Sequence, residues 1–123
     1  MKKPEFAEDQ IYHIYNRGVE KRDVFLMKGD YLRFIRDLFE FNDDGPVFNL
    51  GRYFQSVIEV EPRSERKQLV EILVFTLMPN HFHLIVRQKR KNGIVKFMEK
   101  LGTGYTMYFN KINDRVGPLF QGR

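Results

Sequence analysis

Two histidines separated by one residue, His81 and His83, are the residues whose type and spacing best suit chemistry in this sequence. If their segment is a β-strand, side chains two positions apart project to the same face, about 7 Å apart along the strand. Two neutral imidazoles on one face can converge on a divalent cation, while Phe82 between them anchors the strand in the core. The pair is an incomplete site, because such cations take four to six ligands. A third protein ligand and waters must come from elsewhere, unless the two residues are ordinary surface histidines.

The composition limits the kind of site and the kind of partner. The chain has no cysteine, which excludes disulfide frameworks, thiolate zinc sites and cysteine nucleophiles. Its 21 Lys and Arg against 16 Asp and Glu give a formal net charge of +5. This charge fits binding to a phosphate backbone, although many proteins that bind no nucleic acid share it. No apolar run approaches the ~20 residues that span a bilayer, so we expect a cytoplasmic protein without a membrane partner.

Hydrophobic periodicity and turn residues predict a single domain whose elements are ordered strand, helix, strand, strand, helix, strand. In chain order we expect them at 10–17, from about 30 to a breaker cluster at 42–46, and at 69–78, 81–87, 93–113 and 119–123. An irregular insertion at about 43–68 contains a candidate strand at 54–60. This order is the split βαβ pattern of a ferredoxin-like α+β fold, an antiparallel sheet with two main helices on one face. The other face remains available for a site, and a hairpin places the two histidines at the start of its second arm.

The patterns also predict local details. Asp30 is expected to be the N-cap of the first helix. One face of that helix is expected to be apolar and carries Tyr31, Phe34, Ile35, Leu38 and Phe39. The strand at 69–78 is predicted to have a buried centre at 72–75. Gly102 and Gly104 interrupt the apolar stripe of the second helix, which indicates either a close backbone approach or a kink.

Four tyrosines, two in the second helix and two in the first strand, are considered as possible nucleophiles. Tyr105 and Tyr108 fall on the apolar stripe of the second helix, so we expect them to pack against the sheet rather than to act as nucleophiles. Tyr12 and Tyr15 lie in the first strand, and we interpret them as strand or core residues.

Four segments together carry a resemblance to a known family. They are Tyr12-His13-Ile14-Tyr15-Asn16-Arg17-Gly18, Met78-Pro79-Asn80-His81-Phe82-His83-Leu84, Tyr105-Thr106-Met107-Tyr108-Phe109-Asn110 and Leu119-Phe120-Gln121-Gly122-Arg123. Jointly they resemble the single-tyrosine HUH transposases, namely the small insertion-sequence and REP-associated tyrosine transposases. The likeness covers both ends and the middle of the chain and leaves out about 43–68.

The resemblance implies a mechanism on single-stranded or hairpin DNA. A tyrosine hydroxyl attacks the scissile phosphate, which gives a 5′-phosphotyrosine link and a free 3′-OH. His81 and His83 are implied to hold a divalent cation, Mg²⁺ or Mn²⁺, that neutralises charge developing on the phosphate. In the family, the tyrosine and an amide-bearing third metal ligand lie on a helix downstream of the segment matching 120–123. The sequence ends at Arg123, so we expect both groups outside it and assign no catalytic residue within it.

Several other side chains are candidates for contacts with DNA. The basic candidates are Arg17, Arg87, Lys89, Arg90 and Lys91. They either contact the phosphate groups of the DNA backbone or form a solvated charged face. Gln121 and Arg123 match family positions that lie near DNA. His13 shares a strand face with Tyr15, and it is either a structural histidine or a neighbour of the metal site.

Two functions remain open at this level. The first is the body of an HUH endonuclease that acts in DNA transposition by cleavage and strand transfer. The second is a non-catalytic nucleic-acid-binding module of the same fold, for which binding by backbone contacts and stacking is expected. Whether this chain is itself an enzyme, and whether it forms a homodimer, are left undecided by the sequence.

Overall fold

The computed structural model describes residues 5–45 and 66–122, and these form an α+β domain around one antiparallel sheet. The elements, in chain order, are β1 (Ile11–Arg17), a 3-10 turn (Val19–Lys21), α1 (Lys28–Glu40), β2 (Val70–Met78), β3 (His81–Gln88) and α2 (Gly93–Asn113). The three strands are ordered β1-β3-β2, so β3, which carries both histidines, is the central strand. The split βαβ arrangement predicted from the sequence is confirmed. The candidate strand at 54–60 and most of the predicted insertion lie outside the described residues.

The central strand separates a covered face of the sheet from an open face. Phe82, Leu84 and Val86 of β3 are buried on the covered face. Phe82 packs against Phe34 of α1, with ring centroids 5.0 Å apart. His81 and the alternate residues after it therefore point to the open face, because successive side chains of a strand alternate. This alternation confirms the prediction that His81 and His83 share one face of the strand while Phe82 lies in the core.

The second helix has the bounds predicted for it and supplies much of the core. Its fully buried side chains include Ile94, Phe97, Leu101, Tyr105 and Phe109. One of its two glycines is explained by a close approach. A Cβ atom on Gly104 would lie 2.3 Å from Cζ of Phe41, whereas a Cβ on Gly102 would meet nothing within 4 Å. Gly104 thus allows α2 to pack closely on the end of α1.

The first helix begins earlier than predicted, and the assignment of Asp30 as its N-cap was wrong. Met27 is the N-cap, and Asp30 is the third residue of the helix. The Asp30 carboxylate reaches back to accept hydrogen bonds from the backbone N–H groups of Leu26 (2.8 Å) and Met27 (3.3 Å). A carboxylate can satisfy the unpaired N–H groups of a helix end from inside the first turn, which sequence spacing alone does not distinguish from a cap.

Three predictions about exposure and pairing also need correction. The apolar face of α1 is narrower than expected, since Ile35 and Phe39 are 40% and 64% exposed. The predicted buried centre of β2 is also wrong, because Val74 is 51% exposed and this strand is an edge of the sheet with an irregularity between Ile72 and Val74. Finally, the predicted last strand is reduced, within the described residues, to one bridge between Gly18 and Phe120.

No helix in the described part of the chain is long and apolar enough to cross a membrane.

Candidate functional site

The open face of the sheet brings three histidines together. In the antiparallel register, Tyr15 pairs with His83 and Arg17 pairs with His81. The rings of His81 and His83 have centroids 5.1 Å apart and stand nearly perpendicular, at 89°. The ring of His13, from β1, stacks on His83 at 5.0 Å. A contact between two strands therefore joins a residue that the sequence left undecided to the predicted pair.

His81 is oriented by the residue before it. Its Nδ1 atom lies 2.7 Å from Oδ1 of Asn80. An amide oxygen only accepts hydrogen bonds, so His81 carries its proton on Nδ1 and leaves the lone pair of Nε2 available. Asn80 is itself fixed, because its backbone carbonyl accepts a hydrogen bond from the Gly18 N–H (3.0 Å). Asn80 thus sets the tautomer of a candidate ligand.

His83 is oriented by His13. Nδ1 of His83 lies 2.9 Å from Nε2 of His13, and one of these atoms must donate the proton. If His13 donates, Nδ1 of His83 accepts and the proton of a neutral His83 lies on Nε2, where it blocks a ligand. If His83 donates from Nδ1, its Nε2 lone pair is available, as for His81. Metal binding through Nε2 of His83 would therefore select the second arrangement, in which His13 is the acceptor.

Electrostatics favours the neutral form of His83 that such binding needs. Desolvation, together with the neighbouring imidazoles of His13 and His81, lowers the pKa of His83. A lowered pKa keeps the ring unprotonated at neutral pH, and an imidazole must be neutral to bind a cation.

The donor set can be tested against the cation that the sequence implies. His81 and His83 each offer an Nε2 atom on the same face, and each has a partner on Nδ1, which is the usual second contact of a histidine that binds metal. The pair fits a divalent cation as two of its ligands. No group of three or more His, Asp or Glu side chains within 5–45 and 66–122 is arranged to hold a metal ion. Of the two expected ions, Mg²⁺ strongly prefers oxygen ligands, so Mn²⁺ is the better probe for two imidazoles.

The tyrosines of α2 are structural, as predicted. Tyr105 is fully buried and donates a hydrogen bond to the Val24 carbonyl at 2.5 Å. Tyr108 is 8% exposed and donates to Oδ1 of Asp30 at 2.8 Å. Burial raises the pKa of Tyr105 far above its ordinary value and that of Tyr108 to about 12, with the Asp30 hydrogen bond contributing to the latter. Neither hydroxyl is accessible or easily ionised.

Tyr15 differs from these tyrosines because it stands on the open face and is 69% exposed. Its ring centroid lies 5.5 Å from that of His13 and 6.0 Å from that of His83. Of the two alternatives predicted for Tyr15, a strand residue or a core residue, the first is confirmed. Tyr12, on the other face of β1, packs edge-on against Phe6 at 4.7 Å.

The segment after α2 is attached to the histidine end of β1. Nε of Arg17 donates to Oε1 of Gln121 (2.8 Å), and the Gln121 N–H donates to the Arg17 carbonyl (2.8 Å). The Gly122 N–H donates to Oδ1 of Asn16 (2.9 Å). The structure thus brings together Arg17 and Gln121, two of the candidates for contact with DNA, beside the strand position that faces His81.

The remaining basic candidates lie at the far end of the central strand. Arg87 is six residues from His81, about 20 Å along an extended strand, and is ion-paired with Glu71 at 2.9 Å. Lys89, Arg90 and Lys91 follow the end of β3 and line a shallow pocket with Gln68. Arg123 lies outside the described residues.

Residues 49–121 match the family model described as transposase IS200 like. The chain belongs to the IS200-like transposase family. The matched segment includes β3 with its two histidines, α2 and Gln121, and it does not include β1. Comparisons with curated proteins and with solved structures gave no match. The family implies a role in transposition and DNA as the class of partner.

Proposed function

We propose that this IS200-like transposase chain is the body of a metal-dependent enzyme that cleaves and transfers single-stranded DNA. The observation that carries the proposal is the similar placement of His81 and His83. Each ring has its Nδ1 atom within hydrogen-bond distance of a neighbouring side chain, and each Nε2 atom has no hydrogen-bond partner among the described residues. Two imidazoles arranged in this way suit a divalent cation, because a histidine that binds metal usually has its other ring nitrogen hydrogen-bonded to a neighbouring group.

A divalent cation at this pair would polarise a phosphate oxygen and neutralise part of the charge that develops during cleavage. The residues of the chain would supply the rest of the arrangement. Asn80 and His13 hold the two imidazoles in orientation, and Arg17 lies beside His81 with a guanidinium suited to a phosphate.

The proposed reaction follows the family resemblance and balances as a transesterification. A tyrosine hydroxyl oxygen bonds to the scissile phosphorus, its proton passes to a base, and the bond from phosphorus to the 3′ oxygen breaks. The 3′ oxygen leaves and takes up a proton, so the bond energy is retained in the phosphotyrosine link without a nucleotide cofactor. Tyr105 and Tyr108 are unsuited to this step because of their burial, and the family resemblance implies a nucleophilic tyrosine downstream of the segment that matches 120–123.

A second candidate is a nucleic-acid-binding module that does not cleave. It is favoured by the same burial of Tyr105 and Tyr108 and by the exposed ring of Tyr15 on the open face. Such a module would bind single strands by stacking and phosphate contacts, with a strong dependence on salt.

The two candidates are separated with a 3′-labelled hairpin oligonucleotide that carries a single-stranded foot. It is incubated with Mn²⁺ and with the full-length protein, including any residues downstream of Arg123. Cleavage through tyrosine leaves the 3′ fragment attached to protein, so a denaturant-resistant labelled band is expected. A variant with both His81→Ala and His83→Ala is expected to lose this band. The control is Thr76→Ala, which changes the β2 residue that pairs with His83 and is expected to keep the band. Binding without any band would overturn the enzymatic proposal in favour of the module. A band that persists unchanged in the double variant would overturn the role of the histidines.

A further inference from the structure

Tyr15 presents an aromatic ring to solvent at the candidate site. Its side chain is 69% exposed, whereas Tyr105 and Tyr108 are buried and Tyr12 packs against the core. Leaving a large ring exposed forgoes the burial that usually stabilises an aromatic residue. No hydrogen bond ties the Tyr15 hydroxyl to any residue within 5–45 and 66–122. Burial in the core therefore does not explain the position of this ring.

The backbone fixes the place of Tyr15 with respect to the histidines. Tyr15 pairs with His83 in the register between β1 and β3, so its Cα lies beside that of a candidate metal ligand. The planes of Tyr15 and His83 are inclined by 35°, and those of Tyr15 and His13 by 39°. The three rings form a continuous aromatic surface on the open face, with Ile85 beside them at 36% exposed.

Charge beside this surface suits a polyanion. Arg17 follows Tyr15 on the same face of β1, and its Nε is held by Gln121. Its terminal Nη atoms make no hydrogen bond to the described residues, so they can meet phosphate oxygens. The sequence as a whole carries a net charge of +5. An aromatic plane next to an arginine is the arrangement by which proteins hold unpaired nucleotides.

We propose that the ring of Tyr15 is a stacking platform for one unpaired base of single-stranded DNA, next to the scissile phosphate at the proposed cation site of His81 and His83. This inference rests on the proposed function, because it places the base beside the site of cleavage. A platform of this kind accepts any base, since every base has a π-face, and so it contributes affinity and positioning more than sequence selectivity.

The test measures the affinity of the protein for a fluorescently labelled single-stranded oligonucleotide at constant salt. Tyr15→Ala is expected to weaken binding roughly 5- to 100-fold, the range that corresponds to losing one stacked base, and Tyr15→Phe is expected to retain it within about twofold. Phe39→Ala is the matched control. Phe39 is 64% exposed on α1, away from the open face, and its removal is expected to leave the affinity unchanged.

A second set of oligonucleotides locates the base. An abasic site is moved along the strand one position at a time. The affinity of the wild-type protein is expected to fall strongly when the abasic site is at one position near the cleavage site. The affinity of Tyr15→Ala, already weakened, is expected not to fall further when the abasic site is at that position. This non-additivity is the signature of one contact removed from either side.

Several results would overturn the platform while leaving the proposed function intact. These are unchanged affinity in Tyr15→Ala, an equal loss in Tyr15→Phe, a change in oligomeric state instead of DNA affinity, and loss of Mn²⁺ binding in Tyr15→Ala. The last would make the ring a support for the histidines. Failure of the wild-type protein to bind single strands at all would instead overturn the proposed function.

Discussion

His81 and His83 are similar in their exposure of Nε2 but differ in what orients them. His81 depends on Asn80, its neighbour in sequence, whereas His83 depends on His13, which lies 70 residues away on another strand. The first contact needs only a local turn, and the second needs the correct register of β1 on β3. The orientation of His83 is therefore a product of the fold.

The contact between His13 and His83 leads to a prediction about metal affinity. His13→Ala should weaken Mn²⁺ binding about 10-fold or more, because the loss of a partner that orients a histidine ligand typically costs 10- to 100-fold. His13→Gln should recover much of the affinity, since its amide oxygen can accept the same hydrogen bond. Electron paramagnetic resonance of free Mn²⁺ during titration gives both values. Equal, undiminished affinity in the two variants would contradict the positioning role of His13.

Part of the site could be predicted from residues alone and part could not. The placement of His81 and His83 on the same face follows from strand alternation, and so does the burial of Phe82 between them. The contact of His13 depends on the pairing partner of each strand, which one sequence does not determine. The exposure of Tyr15 depends on which face of β1 the helices cover, and β1 gives no sign of that choice because it has one isoleucine and one tyrosine on each face.

At the scale of elements, both helices and the hairpin follow the sequence patterns closely, and the errors fall at edges and ends. β2 has the composition of a buried strand, but it is an edge of the sheet and the apolar residues at its centre are half exposed. Composition reports the propensity for a strand and cannot report how many neighbours the strand has. Phe120 pairs with Gly18 through a single bridge, which is too short to give a periodic pattern in the sequence.

The two glycines of α2 give a matched pair of stability predictions. Gly104→Ala should destabilise the protein by about 1–3 kcal/mol, because the added methyl overlaps the buried ring of Phe41. Gly102→Ala should stabilise it by about 0.5–1 kcal/mol, because its Cβ meets nothing and alanine favours the helix. Urea unfolding of both variants measures the difference. Similar midpoints for the two would refute the close packing of α2 on α1.

At the scale of the whole molecule, a buried carboxylate connects the core to pH. Asp37 on α1 is fully buried, and burial raises its pKa to about 7 despite the guanidinium of Arg33, whose Nε lies 3.1 Å from Oδ1. In the unfolded chain the group has its ordinary pKa of 3.8. Between these values the folded protein binds more protons at Asp37 than the unfolded chain does. The contribution of Asp37 to stability therefore falls as pH rises from about 4 to about 7.

Asp37→Asn should remove this dependence. The free energy of unfolding of the wild type, relative to the variant, should decline with pH across that window by up to about 1.4 kcal/mol per unit and level off above it. Urea unfolding at several pH values measures the relative slope, and other titrating groups cancel between the two proteins. A relative stability that is flat, or that rises with pH, would show that the Asp37 pKa is not raised.

The whole molecule divides its sheet into a face that makes the fold and a face that makes the site. The covered face and the two helices follow from apolar periodicity, so the α+β architecture was predictable. The open face combines His13, Tyr15, His81, His83 and Arg17, which come from two strands far apart in sequence. Only the register of β1 on β3 brings them together. For this reason the sequence predicted only the two histidine ligands, whereas the structure shows all five side chains on one face.

The central claim is that His81 and His83 together bind a divalent cation through their Nε2 atoms. The most direct test counts the imidazole nitrogens coordinated to Mn²⁺ by electron–nuclear double resonance on the wild-type protein and on His81→Ala and His83→Ala. Two coordinated nitrogens are expected in the wild type and one in each variant. No coordinated nitrogen in the wild type, or a count that neither substitution changes, would contradict the claim.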